Sequence, residues 1–140
     1  MSHGPTVLDG LDEVRAAVGT DLGATAWQVV TAGQVAAYAE ATGDTAEPGH
    51  VPPLLLLSLT NLFLPQLLEV RSISSGVNYG TEAVTFPSTV LVGSSIRARA
   101  EVTGAEEVRG GVQTAIRITV EAEGSDEPAV VVDSLSRWLS

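Results

Sequence analysis

An α+β fold, a curved antiparallel sheet wrapped around one long apolar helix, is predicted by three observations. Residues 54–64, Leu-Leu-Leu-Leu-Ser-Leu-Thr-Asn-Leu-Phe-Leu, are apolar on nearly every side of a helix, and such a helix has to be covered on most of its faces. From Ile73 onward the hydrophobic period changes from helical to two, the repeat of half-buried strands. Glycine-bearing turns then cut the second half at 92–94, 108–111 and 123–126. One buried helix followed by a meander of four or five strands defines a layered arrangement in which the sheet curls round the helix. This is the hot-dog arrangement. At 140 residues, with no linker, repeat or low-complexity tract, the chain is expected to form one domain over 1–140.

The elements follow in order. Leu11, Val14, Ala17 and Val18 recur at helical spacing and Gly19 is a plausible stop, giving a short first helix. Ala26-Trp27-Gln28-Val29-Val30 alternates like a strand. Thr31 and Gln34 form a capping box that opens a helix whose inner face carries Val35, Tyr38 and Ala39, and Gly43 ends it. Pro52 and Pro53 sit where a first helical turn tolerates proline, ahead of the apolar helix. Later, Ile96, Ala98, Ala100 and Val102 face one way against Arg97, Arg99 and Glu101. The next segment sets Val112, Thr114, Ile116, Ile118 and Val120 against Gln113, Arg117, Thr119 and Glu121. A last strand covers roughly 129–139.

Composition removes several classes of function. Seventeen acidic residues against seven basic ones, all arginine, give a formal net charge of −10, which disfavours nucleic acid and anionic membrane surfaces as partners. The chain has no cysteine, which excludes disulfides and thiolate chemistry. With His3 and His50 as its only histidines, a metal site is not expected. The longest apolar run is too short to span a bilayer. Met1-Ser2-His3-Gly4-Pro5 has no basic region followed by an apolar run, so the N-terminus does not read as a secretory signal, and a cytoplasmic location is expected.

Chemistry concentrates in Gly43-Asp44-Thr45-Ala46-Glu47-Pro48-Gly49-His50-Val51-Pro52-Pro53-Leu54-Leu55. A carboxylate and an imidazole brought together where a helix begins could share one water as a general acid–base pair, with helix N–H groups polarising a carbonyl. The alternative is that Asp44 is a turn and capping residue and His50 an ordinary loop residue. Asn78 and Tyr79, in Gly76-Val77-Asn78-Tyr79-Gly80, either line a site or tie the strand end to backbone. Glu47 is a further acid–base side chain in the loop, more often simply solvated. Ser58 is not set in a nucleophile elbow and reads as a helix-packing residue.

Tyr38-Ala39-Glu40-Ala41-Thr42-Gly43-Asp44, the Leu57-Ser58-Leu59 stretch, Gly76-Val77-Asn78-Tyr79-Gly80, and Phe86-Pro87 followed by Val90, Val92, Gly93, Ser94 and Arg97-Ala98-Arg99-Ala100 carry a resemblance. Across nearly the whole chain the sequence resembles the MaoC-like dehydratases and (R)-specific enoyl-CoA hydratases, in particular the subgroup of nodulation-protein-N-like proteins. The resemblance implies a hot-dog homodimer that binds an acyl thioester, of coenzyme A or of an acyl carrier protein, with no cofactor. It implies addition of water to a trans-2-enoyl group or its removal from an (R)-3-hydroxyacyl group.

By the same resemblance, Asp44 and His50 are the catalytic candidates that hold the water. Leu54 and Leu55, with Asn78 and Tyr79, are the substrate-binding candidates. Three departures from the family pattern stand out. Five residues separate Asp44 from His50, one more than in the family, and the loop between the flanking motifs is shorter. The glycine whose N–H polarises the thioester carbonyl corresponds to Pro53, which has no N–H, so Leu54 or Leu55 would have to donate. Thr85 stands where relatives of this subgroup often carry arginine. Two alternatives therefore accompany the hydratase or dehydratase reading: a hot-dog protein turned to another acyl or polyketide-like tailoring or thioesterase reaction, and a non-catalytic acyl-binding or partner subunit.

Overall fold

A computed structural model of the chain describes residues 4–140; His3 and most of the N-terminal segment read above lie outside the described residues. The chain opens with β1 (Thr6–Asp9), α1 (Leu11–Arg15), β2 (Asp21–Ala24) and the two-residue β3 (Gln28–Val29). α2 (Ala32–Thr42), α3 (Pro53–Ser58) and α4 (Thr60–Leu67) follow, and the strands β4 (Leu68–Arg71), β5 (Ser75–Thr85), β6 (Ser95–Val108), β7 (Gly111–Ala122) and β8 (Val130–Leu139) complete it. The main sheet has the order β2-β6-β7-β8-β5, with β3 also pairing β6. Its pairings are antiparallel. The curved sheet and helical layer of the hot-dog fold are thus as the sequence predicts.

The period-two reading of the second half carries through to packing. Ile96, Ala98, Ala100 and Val102 of β6, Ile116, Ile118 and Val120 of β7, and Val130 and Val132 of β8 are all buried in one core. Each large side chain so buried contributes about 1.5–3 kcal/mol relative to exposure. The opposite face of the sheet is polar and ion-paired: Arg97 and Arg99 meet Glu121, and Arg117 meets Asp133 at 2.9 Å.

The apolar helix differs from a single uninterrupted rod. It divides at Leu59 into α3 and α4, although Leu59 keeps a right-handed helical conformation (φ −67°, ψ −14°) and donates to Leu55 O at 3.0 Å. Pro65 lies inside α4 and removes one helical N–H. Leu55, Leu56, Phe63 and Leu67 face the core, whereas Leu54 and Leu62 are exposed. One flank of the helix is therefore uncovered in the single chain. No helix among the described residues is long and apolar enough to cross a membrane.

β1 and β5 add two further features. β1 pairs in parallel with β4, Thr6 opposite Leu68, and this ribbon ties the N-terminal segment to the end of α4. β5 pairs only β8, and its other edge has no strand partner among the described residues. Two bulges interrupt it, between Asn78 and Gly80 and between Glu82 and Thr85.

Candidate active site

α2 begins and ends as its sequence dictates. Thr31 Oγ1 accepts from Gln34 N at 3.1 Å while the Gln34 side chain accepts from Thr31 N at 2.9 Å, closing the capping box. At the other end Gly43 takes a left-handed conformation (φ 73°), which a residue with a side chain adopts only at a cost, and its N–H closes on Ala39 O at 2.8 Å. That reversal turns Asp44 back along the helix. The Tyr38 hydroxyl donates to Asp44 Oδ2 at 2.6 Å, Asp44 N donates to Thr42 Oγ1 at 3.0 Å, and Thr42 Oγ1 donates to Tyr38 O at 2.7 Å. The half-buried Asp44 carboxylate is thus held by a three-residue frame. The hydrogen bond to this carboxylate, foremost, pushes the Tyr38 phenol above its ordinary value.

His50 is positioned by a different device. Glu47-Pro48-Gly49-His50 forms a tight turn in which His50 N donates to Glu47 O at 3.0 Å, with Gly49 at φ 83°; Pro and Gly occupy the two central positions that a type II turn favours. The histidine then bridges to Leu91, and flanking bonds, Val51 N to Val90 O at 2.8 Å and Val92 N to Gly49 O at 2.9 Å, fix its backbone. Its Nδ1 lies 3.3 Å from Pro48 O. A carbonyl only accepts, so Nδ1 is the donor in that contact, and Nε2 is the ring nitrogen it leaves unused.

Asp44 and His50 lie on the same loop, but no hydrogen bond or ion pair joins them among the described residues: the carboxylate is bonded to Tyr38 and the ring faces Pro48 O. Glu47 is exposed and contributes its backbone to the turn.

At the start of α3 the amides of Leu54 and Leu55 differ in what they meet. Pro53 has no N–H. Leu55 N donates to Pro52 O at 3.0 Å, and its side chain is buried, 7% exposed. Leu55 is therefore a core residue whose amide is already committed. Leu54 N has no intramolecular partner among the described residues, and Leu54 is 53% exposed. It is the one backbone donor that this helix start presents outward.

Asn78 and Tyr79 separate. Asn78 Nδ2 donates to Asn61 Oδ1 of α4 at 2.9 Å, a side-chain bond rather than the backbone tie of a strand end. The Tyr79 ring takes the Arg137 guanidinium over its face at 3.5 Å from the centroid, and Arg137 in turn donates to Gln113. Tyr38, Thr42 and Asn61 are the residues whose roles the sequence reading left unassigned. Two signals were available for them: a glycine cap placed to fold residue 44 back onto residue 38, and a lone amide within an otherwise apolar helix.

No known protein-family profile matches the chain. It is 32% identical to the 3-hydroxyacyl-thioester dehydratase Z of Mycobacterium tuberculosis over 148 aligned positions, covering 94% of this chain and 97% of that protein. It is 28% identical to the nodulation protein N of Rhizobium meliloti, covering 93% and 89%. The fold matches the crystal structure of a MaoC-like dehydratase from Rhodospirillum rubrum with a TM-score of 0.67 at 15% identity, covering 88% of this chain and 92% of that one. Fold and sequence together define the class: the chain belongs to the MaoC-like dehydratase and hydratase family. The alignment with the mycobacterial dehydratase is longer than the 140 residues of this chain, so that relative carries positions this chain lacks.

Proposed function

We propose that the protein is a hydratase or dehydratase of acyl thioesters, acting between a trans-2-enoyl and an (R)-3-hydroxyacyl group carried on coenzyme A or an acyl carrier protein. The observation that carries this reading is the Asp44 carboxylate, held in place by a 2.6 Å hydrogen bond from Tyr38 in the motif that carries the family resemblance. The names of the relatives point the same way. In the hydration direction Asp44, with His50 as its partner, removes a proton from water as the oxygen adds to C3 of the enoyl group. The electron pair passes through C2 to the thioester oxygen, where the Leu54 N–H stabilises the enolate, and C2 then takes up a proton. Dehydration is the reverse: C2 loses its proton and C3 loses its hydroxyl as water.

The reading includes a homodimer. An antiparallel sheet that ends in an eleven-residue strand with one open edge, bearing exposed Val77 and Tyr79, invites pairing with a second copy. The missing N–H at Pro53 favours a second reading, a subunit that binds the thioester without turning it over. A panel of short, long and branched 2-enoyl thioesters, followed by loss of the conjugated enoyl absorbance, separates the two. Hydration of any member above background supports the enzyme, and saturable binding with no turnover across the panel supports the binder.

A further inference from the structure

A groove runs between the helical layer and the sheet edge at β5. Its first part, a cavity of about 330 Å³, is lined by Leu57, Asn61, Asn78 and Ser134 among others. The second, of about 250 Å³, is lined by Leu64, Leu68, Val70 and Trp138, again with Asn61 and Asn78. The two asparagines therefore stand where the parts meet. On the helices, positions 54, 57, 58, 61, 64 and 65 recur at intervals of three and four, which places them on one face. The helical conformation at Leu59 carries that face across the junction of α3 and α4. The face that begins at the uncommitted Leu54 N–H thus continues as the groove floor. Asn61 comes seven residues later, about 10 Å along the axis at 1.5 Å per residue.

The groove changes chemistry along its length. Where the parts meet, the Asn78-to-Asn61 bond uses one donor and one acceptor, so the pair keeps an amide N–H₂ and a carbonyl oxygen for a ligand. Of the neighbouring hydroxyls, Ser58 Oγ donates to Leu55 O at 2.8 Å and Thr60 Oγ1 to Leu57 O at 2.7 Å. Beyond the pair the walls are mostly apolar, with Ser136 among them. The Trp138 indole lies so closely over Gly76 that a Cβ there would sit 2.7 Å from the ring, and its Nε1 donates to Thr114 Oγ1 at 3.0 Å.

Resting on the thioester reading above, we infer that this groove holds the acyl tail, and that the Asn61–Asn78 pair selects tails with a hydroxyl or keto oxygen part-way along their length. A plain methylene chain laid across the pair takes its free amide groups out of water with nothing in exchange, whereas an oxygen substituent supplies the missing partner. A site built to hydrogen-bond a substrate group discriminates against the analogue that lacks it more strongly than an apolar pocket discriminates between chain lengths. For this half-open groove a preference of about tenfold is expected.

Trp138 offers the readout. The only other tryptophan, Trp27, lies against Arg97 of β6 toward the far side of the sheet, and Trp27→Phe leaves Trp138 as the sole indole. This variant is titrated with two unreactive saturated acyl-CoA thioesters of equal length, one with a mid-chain hydroxyl. The inference expects a saturable change in Trp138 fluorescence with both, about tenfold tighter binding of the hydroxylated one, and loss of that preference in Asn61→Leu/Asn78→Leu. Enoyl-thioester turnover with a silent Trp138, or a preference unchanged in the double-leucine variant, overturns it. A Trp138 response with the expected preference, but no turnover of any enoyl thioester, sustains the groove and removes the enzyme reading instead.

Discussion

Tyr38 and Asp44 meet across the C-terminal cap of α2, six residues apart, with the phenol oxygen 2.6 Å from Asp44 Oδ2. The contact exists because Gly43 reverses the chain in a left-handed conformation, so a cap that ends a helix also aims a carboxylate. Tyr38 is thus a positioning residue that orients the Asp44 carboxylate. Tyr38→Phe is expected to lower kcat about tenfold with KM little changed. Steady-state kinetics checks both, and a kcat within about twofold of the parent assigns Tyr38 to packing alone.

The same bond has a signature on the tyrosine. Its phenol is raised above the ordinary value of about 10, so the native state holds that proton more tightly than the unfolded chain does. The linked stability is fully present below the unfolded value and is lost as pH rises through the raised native one. A ring-carbon NMR titration of Tyr38 is expected to give a midpoint above that of a free tyrosine, and Asp44→Asn to bring it down. The Tyr38→Phe variant should lose part of the alkaline fall in thermal stability.

His50 has its own test, since its backbone is fixed by Leu91 and its ring faces Pro48 O rather than Asp44. His50→Gln keeps size and polarity but cannot take up a proton. If the ring shares the catalytic water, turnover falls by about two powers of ten or more. A variant within about twofold of the parent would leave Asp44 to work without it, and Glu47→Gln would be the substitution to make next.

Pro53 provides a test by gain. Replacing it with alanine restores an N–H at the first position of α3, beside the uncommitted Leu54 N–H. With a second donor available to the enolate oxygen, kcat is expected to rise, by up to about tenfold, a fraction of what a full oxyanion donor provides. The cost is a small loss of stability, about 0.4–1 kcal/mol, from a freer unfolded chain. Unchanged kinetics with the expected drop in melting temperature would show that the helix start does not face the reacting carbonyl.

Much of this architecture was legible because local rules and global fold agree. Alternation in β6 and β7 gave both the strands and the face each residue takes, since a one-residue slip would turn Arg97 and Arg99 into the core. The capping box at Thr31 and the stop at Gly43 follow from side-chain and backbone chemistry confined to a few residues. What stayed hidden depends on distant contacts. Thr6–Asp9 has too little pattern of its own to reveal its parallel pairing with Leu68–Arg71. β5 is exposed along nearly all its length, so its period-two pattern does not tell which edge it takes in the sheet. At the site the types of residue were readable and their partners were not: Asp44 stood out as an acid, but its bond to Tyr38 depends on a reversal in three dimensions. Asn61 read as an interruption of an apolar run, and only the approach of α4 to β5 in three dimensions gives it Asn78.

The most direct measurement compares the native chain with Asp44→Asn in hydration of a trans-2-enoyl-CoA thioester, followed by loss of the conjugated enoyl absorbance and by the configuration of the product. The account predicts turnover by the native chain to an (R)-3-hydroxyacyl thioester and a fall of about two to four powers of ten in the variant, with substrate binding little altered. Turnover by Asp44→Asn within about twofold of the native rate, or an (S) product, would contradict it.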